Sequence, residues 1–236
     1  MKLILEGKAK KIFQSNKKNI LVQYFKDSAT AFNNKKKKEF INKGIINNYI
    51  STNIFIYLTE YNIETHLIKK ISNREQLIKK LKIIPIEVVI RNYAAGSLVK
   101  RLGLKRGIKL TTTLIEFYYK SDNLNDPFIN EDHILLLKLA KKEDINQIKK
   151  ISLKINTLLI KYFKKIKFNL IDFKIEYGKV NNKIILADEI SPDSCRLWDI
   201  KTKKSFDKDL FRENKGNLIV SYKEIIKRLN IEVNNV

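Results

Sequence analysis

A single cysteine, Cys195, excludes an internal disulfide and any cysteine-rich metal centre. The two histidines, His66 and His133, stand far apart, so a zinc site would need an unusual ligand set. No apolar run approaches the ~18 residues of a membrane span. The start, Met-Lys-Leu-Ile-Leu-Glu-Gly, is too weakly apolar for a signal peptide. A cytoplasmic protein with no membrane partner is expected. Acidic residues are scarce, 25 against 48 basic ones, which leaves a formal net charge of +23. Such an excess invites a nucleic-acid reading, because phosphate neutralisation dominates non-specific binding. The basic residues are nearly all lysine, however, and lie throughout a chain that over-uses Lys, Asn and Ile together. A general coding bias accounts for that better than one selected surface. No nucleic-acid partner is expected, although the field would steer small anions.

With 236 residues, 44% of them hydrophobic, the chain can bury a sizeable core as one large domain or two intimate lobes. Its organising stretch is 83–97, IIPIEVVIRNYAAGS. Residues 83–90 are almost continuously apolar and rich in β-branching, which reads as a strand buried on both faces. Glu87 and Arg91 interrupt it four residues apart and therefore point the same way, together with Val89 and Tyr93. Buried charges need partners or a ligand. Ala94, Ala95 and Gly96 permit close approach, and Ser97 would cap a short helix over 98–102 whose start suits a phosphate.

Residues 2–26 read as strands, and Gly7 followed by Lys8, Ala9, Lys10 and Lys11 forms a turn that could fold over phosphates. It lacks the Walker spacing, so a plain lysine-rich hairpin explains it equally. Residues 27–34 are a small, polar loop. Lys35 to Lys38 read as a solvated helix start, with the helix running to about residue 61. A strand over 65–71 is followed by Ser72-Asn-Arg-Glu75, a capping-box pattern that predicts a helix to about residue 81. Residues 1–82 thus form a small α+β lobe and 83–236 a second one. Further strands are predicted over 108–114 and 116–120, the latter ending at Lys120. The loop 121–127 carries Asp122 and Asp126, which could hold Mg²⁺ or simply make a turn. Apolar residues at three-to-four spacing predict a scaffold helix over 144–166 and a last one over 217–229.

The second informative region is 170–199. Ile171, Phe173, Ile175 and Tyr177 alternate with Asp172, Lys174 and Glu176, so the charges share one strand face. Asn181-Asn182 predicts a hairpin whose return strand carries Asp188 and Glu189. A two-residue turn would set Glu189 opposite Lys174, and an odd-length loop would set Asp188 opposite Glu176. Beyond it lie Ser191-Pro192-Asp193, Arg196, whose planar fork suits phosphate or carboxylate, and Trp198, a loop anchor.

Taken together, PIEVVIR (85–91) through Ala95-Gly96-Ser97 and LIDFKIEYG (170–178) resemble the SAICAR synthetase family of purine biosynthesis. Shorter matches are Glu6 to Lys10, Lys43-Gly44, Asp126-Pro127, Asp188-Glu189, Ser191 to Asp193, Arg196, Trp198 and Asp199. The resemblance covers nearly the whole chain. It implies a two-lobed α+β fold with antiparallel sheets, related to ATP-grasp and kinase-like folds, and a homodimer. The implied reaction joins CAIR (5-amino-1-(5-phospho-D-ribosyl)imidazole-4-carboxylate) to L-aspartate with ATP and Mg²⁺, through an acyl phosphate. By the same resemblance Gly7, Lys8, Ala9 and Lys10 would cover the ATP phosphates, with Glu87 at the adenine-side hinge. Glu176 and Asp188 would bind metal and nucleotide, which favours the odd-length hairpin loop. Arg91, Ser97 and Arg196 would hold the CAIR phosphate, and Asp193 would lie near its imidazole. Lys120 and Lys174 would neutralise the transferring phosphoryl or substrate carboxylate. Asn34 and Ser194-Cys195 depart from the family's commoner residues. A small-molecule kinase is the rival enzyme reading, yet no His-Arg-Asp or Asp-Phe-Gly pattern occurs.

Overall fold

The computed structural model describes residues 1–31 and 36–233; Asn34 and Lys35 lie outside them. Strands β1 (Leu3–Glu6), β2 (Lys10–Gln14) and β3 (Ile20–Phe25), predicted as strands, pair as an antiparallel meander. A ribbon of β4 (Ser28–Ala31) and β5 (Lys36–Glu39) follows, where the lysine run predicted a helix start. The helix, α1 (Lys43–Glu60), begins later because Asp27 organises its first turn. That carboxylate accepts from Gly44 N at 2.9 Å and Asn42 N at 3.3 Å, and Arg74 grips it at 2.7 Å. Only glycine fits at 44, since a Cβ would stand 2.4 Å from Phe25 O.

After α1 the chain makes a hairpin, β6 (Leu67–Lys70) and β7 (Glu75–Lys79), completing a sheet of order β1-β2-β3-β7-β6. The predicted helix after Ser72 is therefore a strand. Ser72 Oγ does reach Glu75 Oε2, at 3.0 Å, but it closes the hairpin turn and does not cap a helix. A serine–glutamate pair three residues apart suits either role, and the inward alternation of Gln76 and Ile78 decides for the strand.

The second sheet is built from β8 (Lys82–Tyr93), β9 (Lys109–Tyr119), β10 (Phe128–Ile129), β11 (Phe168–Val180), β12 (Lys183–Ala187) and β13 (Cys195–Asp199). Its order is β10-β9-β8-β11-β12, with β13 also pairing β11. The helices are α2 (Ser97–Leu102), α3 (Glu131–Leu136), α4 (Lys142–Lys165), α5 (Asp209–Arg212) and α6 (Leu218–Arg228). β9 is one strand where two were expected, because it pairs with long β8 from Ile86↔Tyr119 to Tyr93↔Lys109. β8 is not buried on both faces. Ile84, Ile86, Val88 and Ile90 are buried, whereas Glu87 and Val89 are half-buried and Ile83 is 46% exposed. The apolar face packs on α4, and one cluster joins Ile50 and Phe55 of α1 to Val88, Leu159 and Ile175. Each such side chain contributes about 1.5–3 kcal/mol. The other face is polar and forms the floor of the site. No described helix is long and apolar enough to cross a membrane.

Asp199 ties the end of β13 to α6. Its carboxylate accepts from Lys201 N and Thr202 N at 3.0 and 2.7 Å, and from Arg228 at 2.8 Å. The Thr202 amide first, then Arg228, pull its pKa down to about 2. The folded value lies below the unfolded one, so this stabilisation is full above pH ~4 and fades as pH falls toward 2. Asp199→Ala should cost about 2 kcal/mol at neutral pH, and denaturant titration should find that difference vanishing at about pH 2.

Candidate active site

Register places the polar residues of three strands on one face. Arg91 faces Asp172, Val89 faces Lys174 and Glu87 faces Glu176 across β8 and β11, while Val89 faces Glu116 across β9. Two charge systems share this floor.

The first is rich in carboxylates. Lys174 Nζ lies 2.6 Å from Glu87 and 3.7 Å from Glu176, and Lys120 lies 2.5 Å from Glu176. Lys10, reaching over from β2, pairs with Asp188 and lies 2.8 Å from Glu189. Four carboxylates thus meet three ammoniums, an excess of one negative charge. The imbalance shifts the pKa values of these groups in different directions. Burial and the neighbouring Asp188 push Glu176 up. Burial alone would raise Asp188 too, but Lys10 and Lys174 outweigh it and hold it down at about 2. Against the cost of burial, Asp188 and Glu189 raise Lys10, and Glu87 followed by Glu176 raises Lys174, so both stay charged.

Asp188 reaches this cluster by a route that strand register does not supply. The hairpin turn has two residues, Asn181 and Asn182, both at positive φ (47° and 62°), and Val180 pairs with Lys183. The odd-length loop favoured above is thereby corrected, because two asparagines in left-handed geometry close the tightest turn. Pairing ends at Glu176↔Ala187, and Asp188 itself adopts φ 64°. That left-handed residue breaks the strand and swings its carboxylate toward Lys10, whatever the register. His66 packs nearby, driven down to about 4 by burial and therefore neutral.

The second system is rich in guanidiniums and alternates in sign along Arg101, Glu116, Arg91, Asp172, Arg196, Asp209 and Arg212. Four positive charges meet three negative ones. Arg91 lies 2.8 Å from Glu116 and 2.9 Å from Asp172, and Arg196 lies 2.8 Å from Asp172 and 2.6 Å from Asp209. Ser97 Oγ accepts from Arg91 Nη2 at 3.0 Å; it does not cap α2, whose N-cap is Gly96. Gly96 has φ 56°, and a Cβ there would stand 2.5 Å from Arg196 Nη2. Only glycine lets the guanidinium lie against the turn. Tyr93 and Trp198 stand two residues beyond Arg91 and Arg196 on the same face. They line a cavity of about 820 Å³ that reaches Asp209 but is not lined by Lys174, Glu176 or Asp188.

Sequence reasoning chose Lys10, Glu87, Lys120, Lys174, Glu176 and Asp188, and the structure gathers all six; it likewise unites Arg91, Ser97 and Arg196. Gly7 turns the chain, its N–H bonding Lys10 O at 2.9 Å, and Ala9 O accepts from Lys26 N at 2.8 Å. Lys8 points elsewhere, to Asp122 at 3.1 Å, and Asp126 accepts from Ser121 N, so the acidic loop makes a turn and a surface bridge. The Asp193 carboxylate is buried between Lys43 Nζ, which donates to it at 2.6 Å, and Tyr222 Oη, which donates at 2.7 Å. Burial opposes this charge, but Lys43 holds Asp193 far below the usual carboxylate range. Asp172 was legible in the alternation two residues before Lys174, whereas Lys43, noted only as part of the Lys43-Gly44 match, and Tyr222, on the last helix, carried no local signal that would join them to Asp193. Two facing carboxylates, Glu176 and Asp188, in a cluster with surplus negative charge suit a magnesium ion that shares phosphate oxygens. No group of three or more metal-ligating side chains occurs among the described residues.

A family model described as SAICAR synthetase matches residues 3–229. A phosphoribosylaminoimidazole-succinocarboxamide synthase from Nautilia profundicola is 53% identical over 231 residues, 97% of this chain and 98% of that protein. The crystal structure of that enzyme from Ehrlichia chaffeensis superposes with a TM-score of 0.96 at 48% identity, covering 99% of this chain and 100% of the other. A SAICAR synthetase in complex with ADP matches equally well, with a TM-score of 0.96 at 45% identity and 100% of both chains covered.

Proposed function

The chain belongs to the SAICAR synthetase family, and we propose that its polar sheet face carries out the family's ligation in two steps without a protein nucleophile. The reaction is the ATP-dependent condensation of CAIR with L-aspartate to SAICAR, ADP and phosphate. The observation that carries the division of roles is the pair of charge systems with opposite surplus on one floor. Asp172 and Glu176 are four residues apart on β11, roughly 13 Å, with Lys174 between them. A ribonucleotide would span that distance.

In this reading Arg91, Ser97 and Arg196 hold the CAIR phosphate, where the surplus positive charge lies. Asp193 stands beside the imidazole with its charge balanced by Lys43. Gly7 to Lys10 lie over the ATP phosphates, and Glu87 belongs to the hinge side of the nucleotide. Glu176 and Asp188 would hold Mg²⁺, which would neutralise phosphate charge there. Lys174 and Lys120 orient the CAIR carboxylate and the γ-phosphoryl group. A carboxylate oxygen attacks the γ-phosphorus, the bond to the β-phosphate oxygen breaks, and ADP leaves. The aspartate amine then adds to the acyl phosphate carbon; phosphate departs with the carboxylate oxygen, and the amine proton passes to solvent or phosphate. Catalysis rests on positioning and charge compensation.

The reading also treats residues 1–82 and 83–236 as two lobes of an ATP-grasp or kinase-like pair, in a cytoplasmic homodimer. Exposed Leu3, Ile4 and Leu5 on the edge strand β1 are an apolar strip of the kind subunit contacts cover. An assay omitting ATP, CAIR and aspartate in turn should give sustained phosphate release only when all three are present. With ¹⁸O in the CAIR carboxylate, the released phosphate should carry one label; unlabelled phosphate would rule out the acyl phosphate.

A further inference from the structure

Arg196 leaves one edge of its guanidinium free. Nε donates to Asp209 Oδ2 at 2.6 Å, and Nη1 donates to the two Asp172 oxygens at 3.0 and 2.8 Å. Nη2 has no acceptor among the described residues and lies against the turn at Gly96. Asp172 is itself fixed by Arg91 Nη1 at 2.9 Å. Asp209 opens α5 and borders the cavity of about 820 Å³, so its side chain is free to turn toward water unless its backbone is held. Asp207 holds it. This residue is 0% exposed and forms no ion pair among the described residues. Its Oδ1 accepts from Asp209 N at 2.8 Å, and its Oδ2 accepts from Leu197 N at 2.9 Å and Ser205 Oγ at 2.7 Å. Leu197 follows Arg196 on β13, and its carbonyl accepts from Phe206 N at 2.8 Å. One carboxylate thus fastens the backbone beside Arg196 to the backbone of the residue that grips its Nε. Burial and the neighbouring Asp209 push the Asp207 pKa up to about 7, so the charge is costly here. An apolar side chain in its place would leave both amides unpaired.

We propose that Asp207 is a positioning residue that keeps Asp209 on Arg196 Nε and so turns Arg196 Nη2 toward the CAIR phosphate. The inference rests on the reading of Arg196 as a phosphate ligand. It gives the affinity for CAIR a determinant that touches neither the substrate nor the arginine.

Asp207→Asn keeps the volume but replaces one acceptor by an N–H₂ group, so either Leu197 N or Asp209 N must face a donor. The readouts are exchange of the Arg196 Nε proton with water, followed by NMR without any ligand, and the KM values for CAIR and ATP. Asp207→Asn should speed the exchange at least tenfold and raise KM for CAIR about tenfold. Its kcat should stay within about threefold and its KM for ATP within about twofold. Ser205→Ala, which removes one donor from Oδ2, should raise KM for CAIR about threefold. Adding Asp207→Asn to Arg196→Ala should raise KM for CAIR no further than Arg196→Ala does alone. Unchanged exchange, or an unchanged KM for CAIR beside a raised one in Arg196→Ala, would overturn the inference. Effects that multiply in the double variant would do the same, by marking a merely structural role. If Asp207→Asn does not fold, Ser205→Ala, alone and with Arg196→Ala, decides by the same comparisons. Arg196→Ala is the separate arm: KM for CAIR unchanged there would remove Arg196 from the phosphate site, while the proton exchange still judges the positioning.

Discussion

Replacing Lys174 by alanine should lower kcat by at least 10²–10³, about 3–4 kcal/mol, with the protein still folded. Lys174 lies at the middle of the floor, 2.6 Å from Glu87 and 3.7 Å from Glu176, and no other ammonium contacts Glu87 among the described residues. In its absence a substrate carboxylate would meet Glu87, Glu176 and Asp188 with only Lys10 and Lys120 to offset them. The transition state gathers further negative charge there, so the loss falls on kcat more than on KM. Its side chain is 35% exposed, which lets water screen the carboxylates left behind and limits the cost to stability. Steady-state kinetics beside a thermal unfolding curve checks this. Near-native kcat/KM would remove Lys174 from the mechanism.

Asp188→Asn should be nearly as damaging to turnover, at least 10²-fold, with little change in stability. Asparagine tolerates left-handed φ, so the 64° backbone survives. One negative charge is lost from a cluster where Asp188 is the main partner of Lys10 and a lesser one, after Glu87 and Glu176, of Lys174. Those ammoniums would then repel an added cation, so the magnesium concentration for half-maximal rate should rise. Wild-type rates at the wild-type magnesium optimum would count against Asp188 as a phosphate-side ligand.

Much of this site was legible because its residues repeat with the period of a strand. The alternation of Asp172, Lys174 and Glu176 with Ile171, Phe173, Ile175 and Tyr177 shows a charged face without coordinates; the register against Arg91 and Glu87 bears it out, although Asp172 and Glu176 are as buried as their apolar neighbours. Ambiguity appeared where one local pattern serves two structures. Ser72 and Glu75 bond to each other in a hairpin turn as they would at a helix start. The run 36–39 is polar enough for a helix end but pairs as a ribbon, since Asp27 and Arg74, distant in sequence, supply the α1 start.

The amino-acid order alone determined the family, the chemistry and most of the charged groups, because strand and helix periodicities and short motifs are local properties. Tertiary structure decided which charges meet. Lys43 finds Asp193 and Lys10 finds Asp188 only when segments more than a hundred residues apart pack together. The physical reason is that register and periodicity set the face a side chain occupies, whereas a buried charge takes its partner from whatever the rest of the fold brings within reach.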